Sequence, residues 1–554
     1  MSSAKNNKLV NNKIIPESGY HLALISGVVF IIYLQSVFFG LIFLDDNYII
    51  YEHIPGISNL VEIFRSSYLG YHYYRPIANL SFLLDDLLGK SSTMPYHMTN
   101  LFIHLIVSIL LYFLLNKLNY DKATSLISAL LFAATPIHVN AIGWIAGRAD
   151  LLAGLFSILA LIIFVFITAE FKIRRLIMLS LFILLATLSK ETALVFPFLL
   201  LIYLLLHSVK SLNFRNGFIL ISVLSITVIF YFYLRTSLIP NVHIDKFSPL
   251  ILISNIRMVP ETLSKFFLPL GIKALPDFEI FPSISGSILI VIAVIVPVVL
   301  KSIDRKIYYF GILWFTAMMI PGMFFRTMSS NGFFYWDCRS YTALIGLAIS
   351  VAEILKSILK KLPGKYIYLF ITIYIIIFIL SAFYHLRKYE NSIIYWNSVG
   401  NDYPERYLPH IQLYSFYSYI ENYGKSGSEI IKAVSLEPEN INNRVTLINY
   451  FIKNKKLTEA YRSVLVGIEL SRGNEKLPLL PYFIDLSARL HKTKELDNLI
   501  YEASGNKPFL ESLKNILDDE AGNLKNEPDS AAIHLIKLRI SVTDSLLKSS
   551  VNNK

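Results

Sequence analysis

The chain has 554 residues, 54% of them hydrophobic and only 16% charged, with a formal net charge of +12 and a mean hydropathy of +0.53. Soluble globular proteins carry about 25% charged residues, so this composition excludes a large soluble enzyme, a disordered scaffold and a coiled-coil rod. The basic excess does not imply a nucleic-acid partner, because polytopic membrane proteins gather Lys and Arg in short cytoplasmic loops. The single cysteine, Cys338, excludes an intrachain disulfide and a cysteine-built metal cluster.

Residues 1–19 read as a polar cytoplasmic tail with Lys5, Lys8 and Lys13, leading into an uncleaved first span. A helix needs about 20 apolar residues to cross the hydrocarbon core. The apolar runs predict spans near Leu22–Leu44, His97–Leu118, Thr124–Ile145, Leu151–Ile167, Leu176–Ser189 and Thr192–Leu206. Further spans are predicted near Gly217–Leu234, Ile288–Leu300, Ile307–Pro321, Tyr341–Leu355 and Ile367–Phe383. The sequence thus reads as an all-α polytopic membrane protein of about eleven transmembrane helices. Loop charge decides the doubtful place, Lys190–Glu191. With two short helices there, the clusters Lys117/Lys122, Lys172/Arg174/Arg175, Lys210/Arg215, Lys301/Arg305/Lys306 and Lys356/Lys360/Lys361/Lys365 all share the side of the N-terminus. One long helix would put every cluster after Lys190 outside, against the positive-inside rule. The expected topology is N-terminus in, C-terminus out.

The transmembrane domain covers 20–386, with long outer loops at 45–96 and 235–285. Both loops mix aromatics, Pro and apolar stretches (60–69 and 250–270) suited to helices lying in the membrane interface. From 387 to 554 the composition turns polar, and an extracytoplasmic helical domain is expected. Its stretch "AVSLEPENINNRVTLINYFIKNKKLTEAYRSVLVGIEL" has the pattern of one tetratricopeptide (TPR) unit, with Pro438 opening a helix and Ala460 at a packing position.

Several residues break the local physics on the outer side. Asp45 and Asp46 close the first predicted span, where a helix C-terminus disfavours acids; two adjacent carboxylates suit general-base chemistry or a divalent metal. Arg148, in "GRADLL", opens the fourth span and is either an anion clamp or the ion partner of a capping Asp150. Lys190 and Glu191 sit at a hairpin tip, and since adjacent helical residues point apart, each needs its own partner. Arg75 precedes Pro76 in "YYRPIANL". His97, Asn100 and His104 recur on one helix face, and three polar groups on a membrane stripe face a bundle interior. His138 and Asn140 extend that set, and the spacing of His138 and His97 is not diagnostic of a metal site. No Walker, Rossmann, His-Glu-x-x-His or Gly-x-Ser-x-Gly motif is present. With the anion-binding groups outside, a lipid-borne phosphate donor is expected rather than a nucleotide.

The blocks "FLDDNYII", "YYRPIANLSFLLDDLLG", "YHMTNLFIHLIVSILLYFLL", "LLFAATPIHVNAIGWIAGRADLLAGLFSILALI", "LSKETALVFPFLLLIYLLL", "KFFLPLGI" and "GILWFTAMMIPG" stand in the order seen in the transmembrane-and-TPR O-mannosyltransferases. The chain resembles that family and its bacterial relatives over about residues 20–400. The resemblance implies a C-type glycosyltransferase (GT-C-like) fold, a polyprenyl-phosphate-sugar donor and a hydroxyl acceptor, on protein or glycan, at the extracytoplasmic face. It places Asp45 and Asp46 at the family's acidic pair, Arg148 at its Gly-Arg-Ala-Asp arginine, and Lys190 and Glu191 at its Lys-Glu. Two blocks depart from the pattern. Thr135 and Asn140 stand where the family has His and Glu, and "WDCRSYTALIG" matches the late Glu-Arg-Tyr block only through Asp337, Arg339 and Tyr341.

The expected chemistry is a single inverting displacement, with Asp45 or Asp46 as base. Arg148, Lys190, Arg339 and Arg75 are expected at the donor phosphate, and His97, Asn100, His138, Asp150 and Glu191 bind or support substrate. No cofactor beyond the lipid-linked sugar is assigned, and a divalent metal fits the acidic pair. The TPR-like domain suits a protein acceptor. A transferase acting on a lipid or envelope glycan, a transporter or flippase, and a membrane-anchored assembly factor are the alternatives. Lys-, Ile- and Asn-rich usage points to a bacterial cytoplasmic membrane.

Overall fold

The computed structural model describes residues 17–54, 60–68, 73–90, 92–206, 213–238, 249–324, 335–361, 364–492, 494–503, 507–523 and 530–552. Among them every regular element is helical, apart from one isolated bridge between Tyr68 and Tyr73. Two compact units divide the chain, residues 1–399 and 400–554.

The first unit begins with α1 (Glu17–Tyr33), α2 (Leu60–Arg65), α3 (Pro76–Gly89), α4 (Thr93–Lys117), α5 (Lys122–Ala134), α6 (Arg148–Ala169), α7 (Ile173–Ser189) and α8 (Phe196–Leu206). It continues with α9 (Phe214–Leu238), α10 (Pro249–Ser254), α11 (Met258–Phe267), α12 (Ile280–Val299), α13 (Arg305–Met323), α14 (Tyr341–Lys361), α15 (Lys365–Leu386) and α16 (Ser392–Asp402). Polar caps start several of them. Asp121 accepts the Thr124 amide at 2.9 Å and Asp304 the Lys306 amide at 2.9 Å, satisfying N–H groups that a helix cannot.

A helix lies within every predicted span, but among the described residues the length and apolarity needed to cross a membrane are met by seven helices, or eight if the bent pair Lys122–Ala134 with Pro136–Gly143 is one span. The expectation of eleven loses α7, with 17 residues, α8, with 11, and α13, which is diluted by Arg305, Lys306 and tyrosines. The bend of 45° falls at Thr135, whose extended backbone (ψ 126°) is the conformation a following proline imposes. Around Lys190 the chain also turns extended (φ −158°, ψ 131°), so two helices meet there. α7 packs on α6 and α9, whereas α8 packs on α13.

α14 is the centre of the bundle. Its apolar window is 83% buried, against 61% for the windows through α4 and α6 and 17–22% for α9, α12 and α15. The outer helices turn Ile288, Val291, Phe370 and Ile373 outward, as a helix in hydrocarbon does. Reversal of successive helices gathers residues 39–54, 135–150, 189–196, 335–341 and 386–392 at one end. At the other end Glu353 accepts from Tyr120 Oη at 2.7 Å, from the Asp304 amide at 3.1 Å and from Lys356 at 3.2 Å. That end carries the basic turns of the sequence. The described parts of the loop segments 60–69 and 250–270 contain the short helices α2, α10 and α11, with Leu60, Val61, Leu250 and Ile253 exposed.

The second unit comprises α17 (Leu408–Tyr419), α18 (Tyr423–Leu436), α19 (Ile441–Lys453), α20 (Leu457–Leu470), α21 (Leu480–Arg489), α22 (Lys494–Ala503), α23 (Lys507–Asn523) and α24 (Ser530–Asn552). α17 pairs with α18 and α19 with α20, and the core joins Ile448, Ala460, Val464, Leu480 and Phe483. Asn422 and Asn440 cap α18 and α19. Gly467 lets Arg444 lie across α20, since a Cβ there would stand 2.5 Å from Arg444 Cδ.

Candidate functional site

The first span is shorter than expected, ending at Phe38. The segment beyond it is pinned: the Gly40 amide donates to Glu390 O at 2.8 Å, Ser392 Oγ to Leu41 O at 2.8 Å and Trp396 Nε1 to Ile42 O at 2.9 Å. Phe43 takes a left-handed φ of 57°, a conformation costly for a bulky residue and held only by such surroundings. Asp45 and Asp46 therefore do not close a transmembrane helix. They open a helical turn, Asp46–Tyr48, that continues into Ile49–His53, so the backbone dipole favours their charge. Asp46 is fully buried and Asp45 half-buried. Burial raises the Asp45 carboxyl to about 6 against the pull of Arg75. Asp46 is raised to about 7, first by burial, with the Ile42 amide opposing and Asp45 adding repulsion.

Arg75 faces this pair. Its guanidinium forks onto Glu191, Nε to Oε2 at 2.9 Å and Nη2 to Oε1 at 2.5 Å, and stacks between the rings of Tyr68 (4.9 Å) and Tyr73 (4.4 Å). Lys190 pairs instead with Asp150 at 2.5 Å. The two neighbours at the α7–α8 break thus have separate partners, one in the first outer loop and one on α6. Asp150 also interacts with Cys338 and Arg339, and Arg339 feels Tyr73 and Arg75. Arg339 lies in the 3-10 turn Asp337–Ser340 that leads into α14, is half-buried, and donates to Gly322 O at 3.4 Å. Asp45, Arg75, Asp150, Lys190, Glu191 and Arg339 accordingly form one charged cluster.

Arg148 has partners that the sequence did not show. It is wholly buried, pairs with Asp85 at 2.7 Å, and donates to Asn100 Oδ1, to Ser81 Oγ at 3.2 Å and to Tyr96 O at 2.6 Å. Such a guanidinium is a strut between α3, α4 and α6. Asp150 is not its partner. Asn100 also donates to the Trp144 carbonyl at 3.1 Å, so it fixes the chain crossing 142–147 from behind. That crossing needs Gly147, where a Cβ would stand 2.4 Å from Ala141 O.

His97 is buried edge-on to Phe39, with ring centroids 6.1 Å apart. His138 lies among His104 (5.3 Å), Phe132 (4.6 Å) and Tyr341 (4.7 Å). Both pack within the bundle, and His138 lies against His104. Asn140 accepts the Cys338 amide and donates to Tyr389 Oη, both at 2.9 Å, tying the turn before α14 to the turn after α15. Among the described residues no group of three or more His, Cys, Asp and Glu forms a metal site.

Three functional-end residues escaped the sequence reading. Asp85, Lys265 and Glu261 lie fully or almost fully buried. Lys265 meets both Asp337 oxygens at 3.1 Å, and Glu261 accepts from Tyr335 Oη at 2.8 Å. Their available signal was charge on the apolar face of a short amphipathic helix; Lys265 stands in the "KFFLPLGI" block.

An all-helical, multi-pass membrane protein with carboxylates and cations meeting at one end of its bundle is the class that fold and site define. Its sequence resembles the O-mannosyltransferases. Residues 83–234 match the family model described as dolichyl-phosphate-mannose-protein mannosyltransferase. The human protein O-mannosyl-transferase TMTC3 is 34% identical over 148 residues, 25% of this chain and 16% of the human protein. The fly protein O-mannosyl-transferase Tmtc1 (Drosophila melanogaster) is 27% identical over 245 residues, 40% of this chain and 28% of the fly protein. The protein O-mannosyl-transferase F38B6.6 of Caenorhabditis elegans is 32% identical over 173 residues, 29% of this chain and 24% of the worm protein. The matched stretches thus span less than a third of these relatives' length.

Proposed function

We propose that the chain transfers a mannose-like hexose from a polyprenyl-phosphate carrier to a hydroxyl of a protein acceptor at the extracytoplasmic face. The observation that carries this reading is the charged cluster in which a half-buried carboxylate, Asp45, and a half-buried guanidinium, Arg339, both keep access to solvent. Asp46 is buried behind Asp45, which makes Asp45 the base. The acceptor O–H proton passes to Asp45 as the oxygen attacks the anomeric carbon. The bond from that carbon to the phosphate oxygen breaks, and its electron pair leaves on the phosphate, which needs no general acid. Arg339 meets the developing phosphate charge, and the ion-paired Arg75 and Lys190 add positive field from behind it. The lipid chain lies between spans.

The helix pairs of the 400–554 unit suit a TPR-like surface for a polypeptide acceptor. The composition favours a bacterial cytoplasmic membrane, while the relatives named above are animal proteins. A transporter would place its charges near the bilayer midplane, whereas here they sit at the ends of helices. The test is purified protein in lipid vesicles with polyprenyl-phosphate mannose and Ser/Thr peptides, read by mass spectrometry. Hexose on a peptide hydroxyl supports the reading. Modification of a lipid or glycan acceptor alone would move the acceptor class, and transfer only from a nucleotide sugar would contradict the donor.

A further inference from the structure

Two tryptophans from distant parts of the chain stack at the edge of the cluster. The rings of Trp144 and Trp336 lie 4.8 Å apart at 28°. Trp144 is almost completely buried, and its indole N–H is directed at Asp46, whose charge it favours. Asn100 holds its carbonyl, and Arg148 holds Asn100. Trp336 covers Trp144 yet stays half-buried. The residues on either side of it are clamped: Asp337 by Lys265, and Tyr335 by Glu261 and by the Phe278 ring at 5.1 Å. Buried charges on α11 therefore hold one large aromatic face, a few residues from Arg339, at the end where Asp45 sits.

A membrane-interface tryptophan is commonly an anchor, but an anchor has no need of a buried indole behind it or of a clamped salt bridge beside it. A pyranose ring has one face of polarised C–H groups and a rim of hydroxyls. The negative face of an indole attracts such C–H groups, and donors and acceptors at the edge take the hydroxyls. Trp336 offers the face, while the half-buried Asp45 offers the edge.

We infer that Trp336, backed by Trp144, is the wall against which the hexose ring of the lipid-linked donor lies. This rests on the hexosyl-transfer reading and assigns the sugar subsite of that same centre.

The experiment uses the full-length protein in vesicles with polyprenyl-phosphate mannose as donor, and bare polyprenyl phosphate as a competitive inhibitor. Trp336→Leu, which keeps bulk without a π face, should raise the donor KM about tenfold. Trp336→Phe should stay near the unaltered protein. The acceptor KM and the inhibition constant of bare polyprenyl phosphate should not move, since neither involves the sugar. A donor KM unchanged in Trp336→Leu overturns the proposal. So does an equal rise in the inhibition constant of the bare lipid, which would place Trp336 on the lipid. Should Trp336→Leu fail to fold, Trp336→Met, which also lacks a π face, takes its place and is read by the same two constants. If the unaltered protein transfers no hexose, the functional reading falls instead, and the wall with it.

Discussion

Arg75 grips Glu191 by two hydrogen bonds, 2.9 and 2.5 Å long, across 116 positions of sequence. The fork joins the first outer loop to the break between α7 and α8, and it sets a fixed positive charge beside Asp45. The carboxyl pair is thereby balanced: burial pushes both acids up, and Arg75 pulls Asp45 back.

That balance predicts a pH profile. Asp45 must be ionised to accept a proton, so kcat/KM should fall as pH drops through the region where the pair titrates, about 6 and about 7. Arg75→Gln removes the opposite charge that stabilises the carboxylate. The acid limb should then move to higher pH. A limb that stays in place, measured on vesicle-reconstituted protein, would show that Arg75 does not act on the base.

Arg148 and Arg339 should separate cleanly. Asp85→Asn leaves the buried Arg148 guanidinium without its counter-ion, a loss of about 3–5 kcal/mol, and a marked drop in the thermal midpoint in detergent is expected. Arg339→Met should leave that midpoint nearly unchanged and cut kcat by about 100-fold or more. Equal midpoints for Asp85→Asn and the unaltered protein would contradict the strut.

The chain crossing beneath the cluster should tolerate no side chain at Gly147. A Cβ there meets Ala141 O at 2.4 Å, and the backbone it displaces carries Ala146, whose carbonyl accepts Tyr68 Oη at 3.3 Å. Gly147→Ala should lower transfer by about 100-fold, the scale of a misplacement near 1 Å. Gly217→Ala, where nothing lies within 4 Å, is the control and should leave transfer and folding unaffected.

The helices were legible because apolar runs of spanning length have few other fates, and the break at Lys190 was legible from loop charge. Asp45, Arg75, Lys190 and Glu191 stood out because unexpected charge at a membrane surface has a cost that must be offset. Their partners were not legible. Asp85, which holds Arg148, lies 63 positions away in what read as a loop, and Lys265 meets Asp337 across 72 positions. Pairings of that range come from tertiary packing, and no local periodicity records them. The same limit hid which cations already have a buried counter-ion, as Arg148 has in Asp85. It also misplaced Asp45 and Asp46, since hydropathy carried the first span through Ile42–Leu44, where the structure has non-helical chain and a left-handed Phe43.

The most direct measurement is the rate of hexose transfer by Asp45→Asn in vesicles supplied with polyprenyl-phosphate mannose and a Ser/Thr peptide. Asparagine keeps the shape and cannot take the proton, so kcat should fall by about 100- to 10,000-fold while donor KM stays near that of the unaltered protein. A variant transferring at the original rate would show that the proton goes elsewhere, and the account of the outer carboxylate would be wrong.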